Sequence, residues 1–140
     1  MNIKDFKLFR DKNYIDGEWI ASDSGDTISV NNPANLKEIV TVPKCGTSET
    51  KKAIEAANKA WPDWKSKSAR QRSDVLRKWF DLIIKNKEEL AQIMTIEQGK
   101  PINESRGEIG YGASFIEWFS EEAKRVYGAT IPDPMTDRRI

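Results

Sequence analysis

The chain has 140 residues, with 23 Lys and Arg against 22 Asp and Glu, one cysteine and no histidine. Without histidine, it holds no Ser-His-Asp or Cys-His catalytic group and no Cys/His zinc site, and one cysteine cannot close an intrachain disulfide. A net charge of +1 gives no bulk attraction to nucleic acid or to an anionic membrane. We therefore expect no nucleic-acid or membrane partner. Since no apolar leader or span is visible, a cytoplasmic location is expected.

After an N-terminal arm over residues 1–12, the chain to about residue 45 is predicted to form short β-strands. Asp16-Gly17 lies between two short runs containing aromatic and β-branched residues, a pattern typical of a type I′ hairpin turn. Residues 27–30 alternate in polarity, and residues 39–42 are a β-branched run ended by Pro43. The sequence thus predicts β-hairpins at this end of the chain.

From residue 47 onward, apolar residues recur at the three- and four-residue steps of helices. Thr47 or Ser48 is expected to cap the first helix, and Pro62 to bend or end it. Ser68 and Gln71 have the spacing of a capping box, in which each side chain bonds the other residue's backbone N–H. This pair predicts the start of the second helix.

The third helix is predicted to begin after Asn86 and to end at Gly99. Pro101 then opens a long fourth helix, expected to run to about Tyr127 and to stop at Gly128. The predicted core stripe of this helix consists of Ile109, Ala113, Ile116, Phe119 or Ser120, Ala123 and Tyr127.

A second face of the fourth helix is predicted to carry a site. Glu108, Tyr111 and Phe115 are spaced i, i+3 and i+7, so they share a face that differs from the core stripe. Glycines stand nearby at positions 107, 110 and 112, and each costs a helix roughly 1 kcal/mol relative to alanine. Two explanations remain open: close packing of another element on the glycines, or a ligand passage beside the helix.

Other residues with chemical potential are given structural roles. Cys45 has no histidine to activate it and is expected to be an ordinary thiol. The segment Gly99-Lys100-Pro101 lacks the spacing and the Ser/Thr of a phosphate-binding loop. The five tryptophans are expected to be core or interface anchors.

Several segments, in this order and spacing, resemble the N-terminal segment of the aldehyde dehydrogenase superfamily. They are residues 13–19 (NYIDGEW), 32–34 (NPA), 61–64 (WPDW) and 97–101 (EQGKP). Residues 107–119 and 121–128 look most like the succinate-semialdehyde dehydrogenase branch.

The resemblance implies an α/β fold of the aldehyde dehydrogenase type. This chain would supply N-terminal β-hairpins and four α-helices of the NAD(P)-binding domain over residues 13–136, with residues 137–140 beginning a strand. It also implies an enzyme that oxidises succinate semialdehyde to succinate with NAD or NADP, by thiolate attack, hydride transfer and hydrolysis. Related semialdehyde dehydrogenases, such as one for glutarate semialdehyde, remain alternatives.

In the superfamily, the helix matching residues 107–127 borders the substrate tunnel. Tyr111, Glu108, Phe115 and Gly107 are therefore the tunnel candidates. Some members hold a structural monovalent cation near positions matching Val30 and Glu97. The resemblance further implies a homo-oligomer, a dimer or a tetramer.

Family members are roughly three times longer than this chain, and their catalytic and cofactor-binding motifs would lie after Ile140. No catalytic or cofactor-binding residue is therefore assigned, and the chain alone is expected to be inactive, as a truncated piece of the enzyme. The rival interpretation is a non-catalytic interaction module whose exposed helix faces bind a second copy or the remainder of the enzyme.

Overall fold

The computed structural model describes residues 3–135 and shows two β-hairpins followed by four helices, as the sequence predicts. The strands are β1 (Asn13–Ile15), β2 (Glu18–Ile20), β3 (Thr27–Asn31) and β4 (Glu38–Pro43). The helices are α1 (Thr47–Ser66), α2 (Ala69–Lys85), α3 (Lys87–Gln98) and α4 (Ile102–Glu122), and a short 3-10 helix spans Ile3–Asp5. The strand expected at residues 137–140 lies outside the described residues.

The two hairpins form separate two-stranded antiparallel sheets. Asp16 and Gly17 both have positive φ, 51° and 89°, which confirms the predicted type I′ turn. Across that turn Tyr14 pairs with Trp19, with ring centroids 5.1 Å apart. In the second hairpin β3 pairs with β4, with an irregularity in register at Val30/Asn31.

The cap of α1 differs from the predicted one, because Gly46 is the N-cap rather than Thr47 or Ser48. The carboxylate of Glu49 accepts the N–H of Gly46 at 2.8 Å and, from the preceding turn, the N–H of Asp23 at 2.6 Å. Glu49 is only 4% exposed, and these backbone N–H groups, Asp23 foremost, hold the pKa of its carboxyl below its usual value. The buried carboxylate of Glu49 thus accepts the backbone N–H of the N-cap residue of α1.

Pro62 was expected to bend or end α1, and it does not end it, because the helix continues to Ser66. A proline inside a helix removes one backbone hydrogen bond. Pro62 is exposed, so water can bond the carbonyl that this loss frees. The helix ends at the next turn, where Lys67 has extended backbone angles.

The predicted capping box of α2 is confirmed. The Gln71 N–H donates to Ser68 Oγ at 3.2 Å, and the Ser68 N–H donates to Gln71 Oε1 at 2.8 Å. Asn86 is the N-cap of α3, but its side chain faces the other way and donates to the Leu82 carbonyl at 2.7 Å. Asn86 therefore closes α2 with its side chain and begins α3 with its backbone.

The core lies where α2 and α3 pack against α4. The fully buried residues of α4 are small, namely Ser105, Ala113 and Ser120, which allows close approach of the helices. Ser105 Oγ and Thr95 Oγ1 of α3 lie 2.9 Å apart and share a hydrogen bond. Ser120, and not the exposed Phe119, therefore belongs to the core stripe.

The predicted end of α4 at Tyr127 was wrong, because the helix stops at Glu122. Beyond it the N–H groups of Lys124 and Arg125 bond carbonyls three residues back, and that of Tyr127 bonds the Arg125 carbonyl. Tyr127 is 82% exposed, so no packing against the described residues would stabilise another helical turn there.

Four of the five tryptophans are exposed and Trp64 is partly covered, so those four are not core anchors, and the expectation that they anchor an interface stays a prediction. Apolar residues on the outer sides of α2 and α4 are exposed as well, among them Val75, Trp79, Leu82, Tyr111, Phe115, Trp118 and Phe119. None of the helices within residues 3–135 combines the length and apolar character that a membrane crossing requires.

Candidate functional site

The predicted second face of α4 exists and points away from the packed core. Tyr111 and Phe115 lie one turn apart, with ring centroids separated by 4.9 Å and ring planes at 79°. This edge-to-face contact is a favoured aromatic geometry, and it holds both rings on the surface. Tyr111 is 67% exposed and Phe115 is also exposed, while Ala113 between them is buried.

Glu108 begins this face and is not a free carboxylate. Lys100, in the turn between α3 and α4, donates a hydrogen bond from its ammonium group to Glu108 Oε1 and forms an ion pair with it. The Lys100 side chain is 24% exposed and that of Glu108 is 52% exposed. The pair neutralises the acidic end of the aromatic face.

The glycines of α4 do not mark close packing in the described part of the chain. A Cβ added at Gly107 or Gly112 would meet nothing within 4 Å, and one at Gly110 would meet only the flexible end of Lys87, at 3.3 Å. The close-packing explanation is therefore wrong for Gly107 and Gly112 within residues 3–135. Gly107 leaves open space one turn before Tyr111, beside Glu108.

Further along α4, an open groove of about 720 Å³ lies beside this helix, with Arg77 of α2 at its edge. Phe115, Trp118 and Phe119 supply its aromatic surface. From α2, Arg77 stacks 5.0 Å from the Phe80 ring and donates to Glu117 at 3.1 Å. Of the four predicted tunnel residues, the groove includes Phe115 alone.

Sequence reasoning missed the continuation of the aromatic face toward this groove. Trp118 follows Phe115 by three residues and Tyr111 by seven, so the helical spacing could have revealed it. Arg77 comes from another helix, and no local signal could have placed it there.

The predicted cation positions, Val30 and Glu97, each lie within three residues in the chain of one partner in a contact between the end of α3 and the second hairpin. A Cβ built on Gly99 would lie 2.8 Å from Cγ of Pro33, so the proline ring packs directly against the backbone of Gly99. Val30 precedes Pro33 by three residues, and Glu97 precedes Gly99 by two. Among residues 3–135, no cluster of three or more Cys, Asp or Glu side chains could hold a metal ion.

The thiol of Cys45 accepts a hydrogen bond that links two parts of the fold. The side-chain amide of Asn13 donates to its sulfur at 2.9 Å, and the residue is partly buried. The contact links β1 to the loop between β4 and α1.

Comparison with known proteins assigns these elements to a family. The model of the aldehyde dehydrogenase family matches residues 19–140. A glutarate-semialdehyde dehydrogenase of Pseudomonas aeruginosa is 57% identical over the whole chain, and the NADP(+) succinate-semialdehyde dehydrogenase of Escherichia coli K12 is 49% identical over the same length. The chain spans 29% of the length of each of these two relatives.

Solved structures show the same fold. A succinate-semialdehyde dehydrogenase from Burkholderia pseudomallei superposes with a TM-score of 0.91 at 54% identity, covering 94% of this chain and 27% of that one. An NADP-dependent enzyme of E. coli gives a TM-score of 0.92 at 51% identity, with the same coverage. The hairpins and four helices are thus part of an α/β aldehyde dehydrogenase fold, and the chain belongs to the aldehyde dehydrogenase family.

Proposed function

We propose that this chain serves in an NAD(P)-dependent dehydrogenase that oxidises a short semialdehyde bearing a carboxylate, with succinate semialdehyde as the first candidate substrate. The observation that carries the proposal is the similarity along the whole chain to enzymes named for such substrates, at 49% and 57% identity. The glutarate relatives are more similar than the E. coli succinate enzyme, so glutarate semialdehyde is the second candidate.

Within this reaction we assign α4 the task of bordering the aldehyde passage. Tyr111 and Phe115 present a fixed aromatic wall, and Gly107 leaves room beside it. Such a wall can orient a linear substrate and exclude water from it. The oxidation itself needs a nucleophile and a hydride acceptor, and Tyr111, Phe115 and Gly107 supply neither. Cys45 is not assigned the role of nucleophile, because it lies in the loop between β4 and α1 and the chain has no histidine to activate it.

NAD or NADP accepts hydride in this chemistry, but the described residues do not fit the pyrophosphate of a dinucleotide. The connection from β4 to α1 is a strand leading into a helix, which is the arrangement that such a site uses. It has one glycine, Gly46, whose N–H already donates to the buried carboxylate of Glu49. A second anion there would meet a like charge, so we assign no cofactor contact to residues 3–135.

We further propose that the enzyme acts in the cytoplasm as a homo-oligomer. A structural monovalent cation near Val30 and Glu97 remains part of the proposal. Its support is the close approach of α3 and the second hairpin at Gly99 and Pro33.

A chimera tests the proposed function. The segment of the E. coli succinate-semialdehyde dehydrogenase that aligns with this chain is replaced by residues 1–140, and NADPH formation is followed with succinate and glutarate semialdehydes. We expect turnover of at least one of them, because the α4 face would complete the same passage. The unmodified parent enzyme is the matched control.

A chimera that folds and assembles like the parent, yet oxidises neither semialdehyde, would contradict the proposal. The 140-residue chain alone is expected to give no NAD(P)H with either substrate. Measurable turnover by that chain would show that the chemistry has been assigned to the wrong part of the enzyme.

A further inference from the structure

We propose that the ion pair between Lys100 and Glu108 determines specificity by allowing an anionic aldehyde to pass the aromatic face of α4. The inference rests on the proposed function, because it assumes that the substrate moves along this face. It assigns to Lys100 a positioning role, exerted through the charge of Glu108, and no contact with the reacting atoms.

The geometry of Lys100 supports this role. Gly99 in the left-handed conformation and Pro101 with its fixed φ flank the lysine, so its backbone is tightly constrained. About three-quarters of its side chain is covered, and its ammonium group reaches Glu108 across the first turns of α4. The cation is thus held in place beside the carboxylate.

The position of Glu108 makes this neutralisation matter. Glu108 lies one turn before Tyr111 on the face that carries Phe115, next to the open space at Gly107. A ligand that follows the aromatic wall with a carboxylate at one end therefore passes close to Glu108. An unpaired glutamate would repel that carboxylate and would have no effect on a neutral aldehyde of the same length.

The test uses the chimera described above, with succinate semialdehyde and butanal as a charged and a neutral four-carbon substrate. Lys100→Met leaves Glu108 unpaired, and we expect KM for succinate semialdehyde to rise roughly five- to tenfold at low salt. KM for butanal and kcat for both aldehydes should stay unchanged. Raising the salt to about 1 M should shrink the difference, since ionic screening then acts within a few ångströms.

The double variant Lys100→Met, Glu108→Gln separates charge from structure. Removing both charges should return KM for succinate semialdehyde to near the value of the unsubstituted chimera. Arg70→Met is the matched control, because it breaks an exposed pair with Asp74 on α2, where no part of the aromatic face lies. This control should leave both KM values unaltered.

An unchanged KM for succinate semialdehyde in Lys100→Met would overturn the inference, and so would an equal rise for butanal. Turnover by the unsubstituted chimera tests the proposed function separately. Succinate, the reaction product, carries the charged end of the substrate and should raise the Tm of the chimera, and this rise measures binding without turnover. Lys100→Met should reduce that rise, and an undiminished rise would count against the ion pair.

Discussion

At the scale of single residues, Gly99 shows how one position can serve two constraints. Its φ of +70° ends α3 in the left-handed conformation, and its N–H bonds the Thr95 carbonyl at 2.9 Å. Its missing side chain also lets Pro33 of the second hairpin approach within 2.8 Å of where a Cβ would stand. The first role follows from local sequence, whereas the second exists only because the hairpin folds back onto α3.

Replacing Gly99 by alanine should therefore destabilise the chain. We expect the free energy of unfolding, measured by urea denaturation, to fall by about 1–3 kcal/mol, because a left-handed alanine is strained and its Cβ meets the proline ring. Gly112→Ala is the matched control, since nothing lies within 4 Å of its Cβ. Inside a helix that change should raise stability by about 0.5–1 kcal/mol. Equal effects of the two substitutions would refute this account of Gly99.

At the scale of elements, α3 and α4 are tied by more than apolar packing. The guanidinium of Arg106 donates to both carboxylate oxygens of Glu88, at 2.8 Å and 2.7 Å, and a third donor nitrogen reaches Asn103 at 2.7 Å. Such a two-point contact fixes the relative position of two helices better than a single lysine would. The bonds from Arg106, and then the bond from Gln92, lower the pKa of Glu88 from its usual 4.5 to about 2.

This pair predicts how stability depends on pH. Because the pKa of Glu88 is lower in the folded chain than in the unfolded chain, its contribution is complete above pH 4.5 and is lost as the pH falls toward 2. The stability difference between the native chain and Glu88→Gln should therefore shrink over that interval, as measured by urea midpoints. In an NMR titration, Arg106→Met should return the Glu88 pKa toward 4.5. A Glu88 that titrates near 4.5 in the native chain would show that the pair does not form in solution.

At the scale of the whole molecule, the chain exposes more surface than its mass leads one to expect. Its accessible surface is 10658 Å² at 16.0 kDa, whereas a compact monomer of that mass exposes about 7,400 Å². Much of the large exposed apolar surface lies on the outer sides of α2 and α4. The relatives are more than three times as long as this chain. The exposed apolar faces of α2 and α4 are the kind of surface that the rest of such a longer enzyme would cover.

We therefore expect the isolated chain to associate with itself as its concentration rises. Light scattering after size exclusion should give an average mass above 16.0 kDa, because exposed apolar patches of this extent promote association. The double variant Trp118→Ser, Phe119→Ser should lower that mass toward the monomer. Leu36→Ser, at an exposed position on the loop between β3 and β4, is the control and should change little. A monomer at every concentration would exclude this behaviour.

Local signals predicted the elements well. The Asp16-Gly17 turn and the Ser68–Gln71 capping box depend on near neighbours in the chain, and both formed as expected. The caps and ends of the helices were predicted less well. At the start of α1 the N–H of Gly46 donates to the carboxylate of Glu49, and neither Thr47 nor Ser48 is the N-cap. The same carboxylate also accepts the N–H of Asp23, which lies outside the helix.

The sequence by itself determined the family, the order of hairpins and helices, and the presence of two faces on α4, because motif order and helical spacing are written along the chain. Only the tertiary structure decided what each face meets. It showed that Lys100 neutralises Glu108, that Gly107 stands in open space and that Arg77 borders the groove. The contacts of Lys100 and Arg77 join side chains from separate turns or separate helices. Their geometry depends on how those elements pack, and no local sequence pattern encodes it.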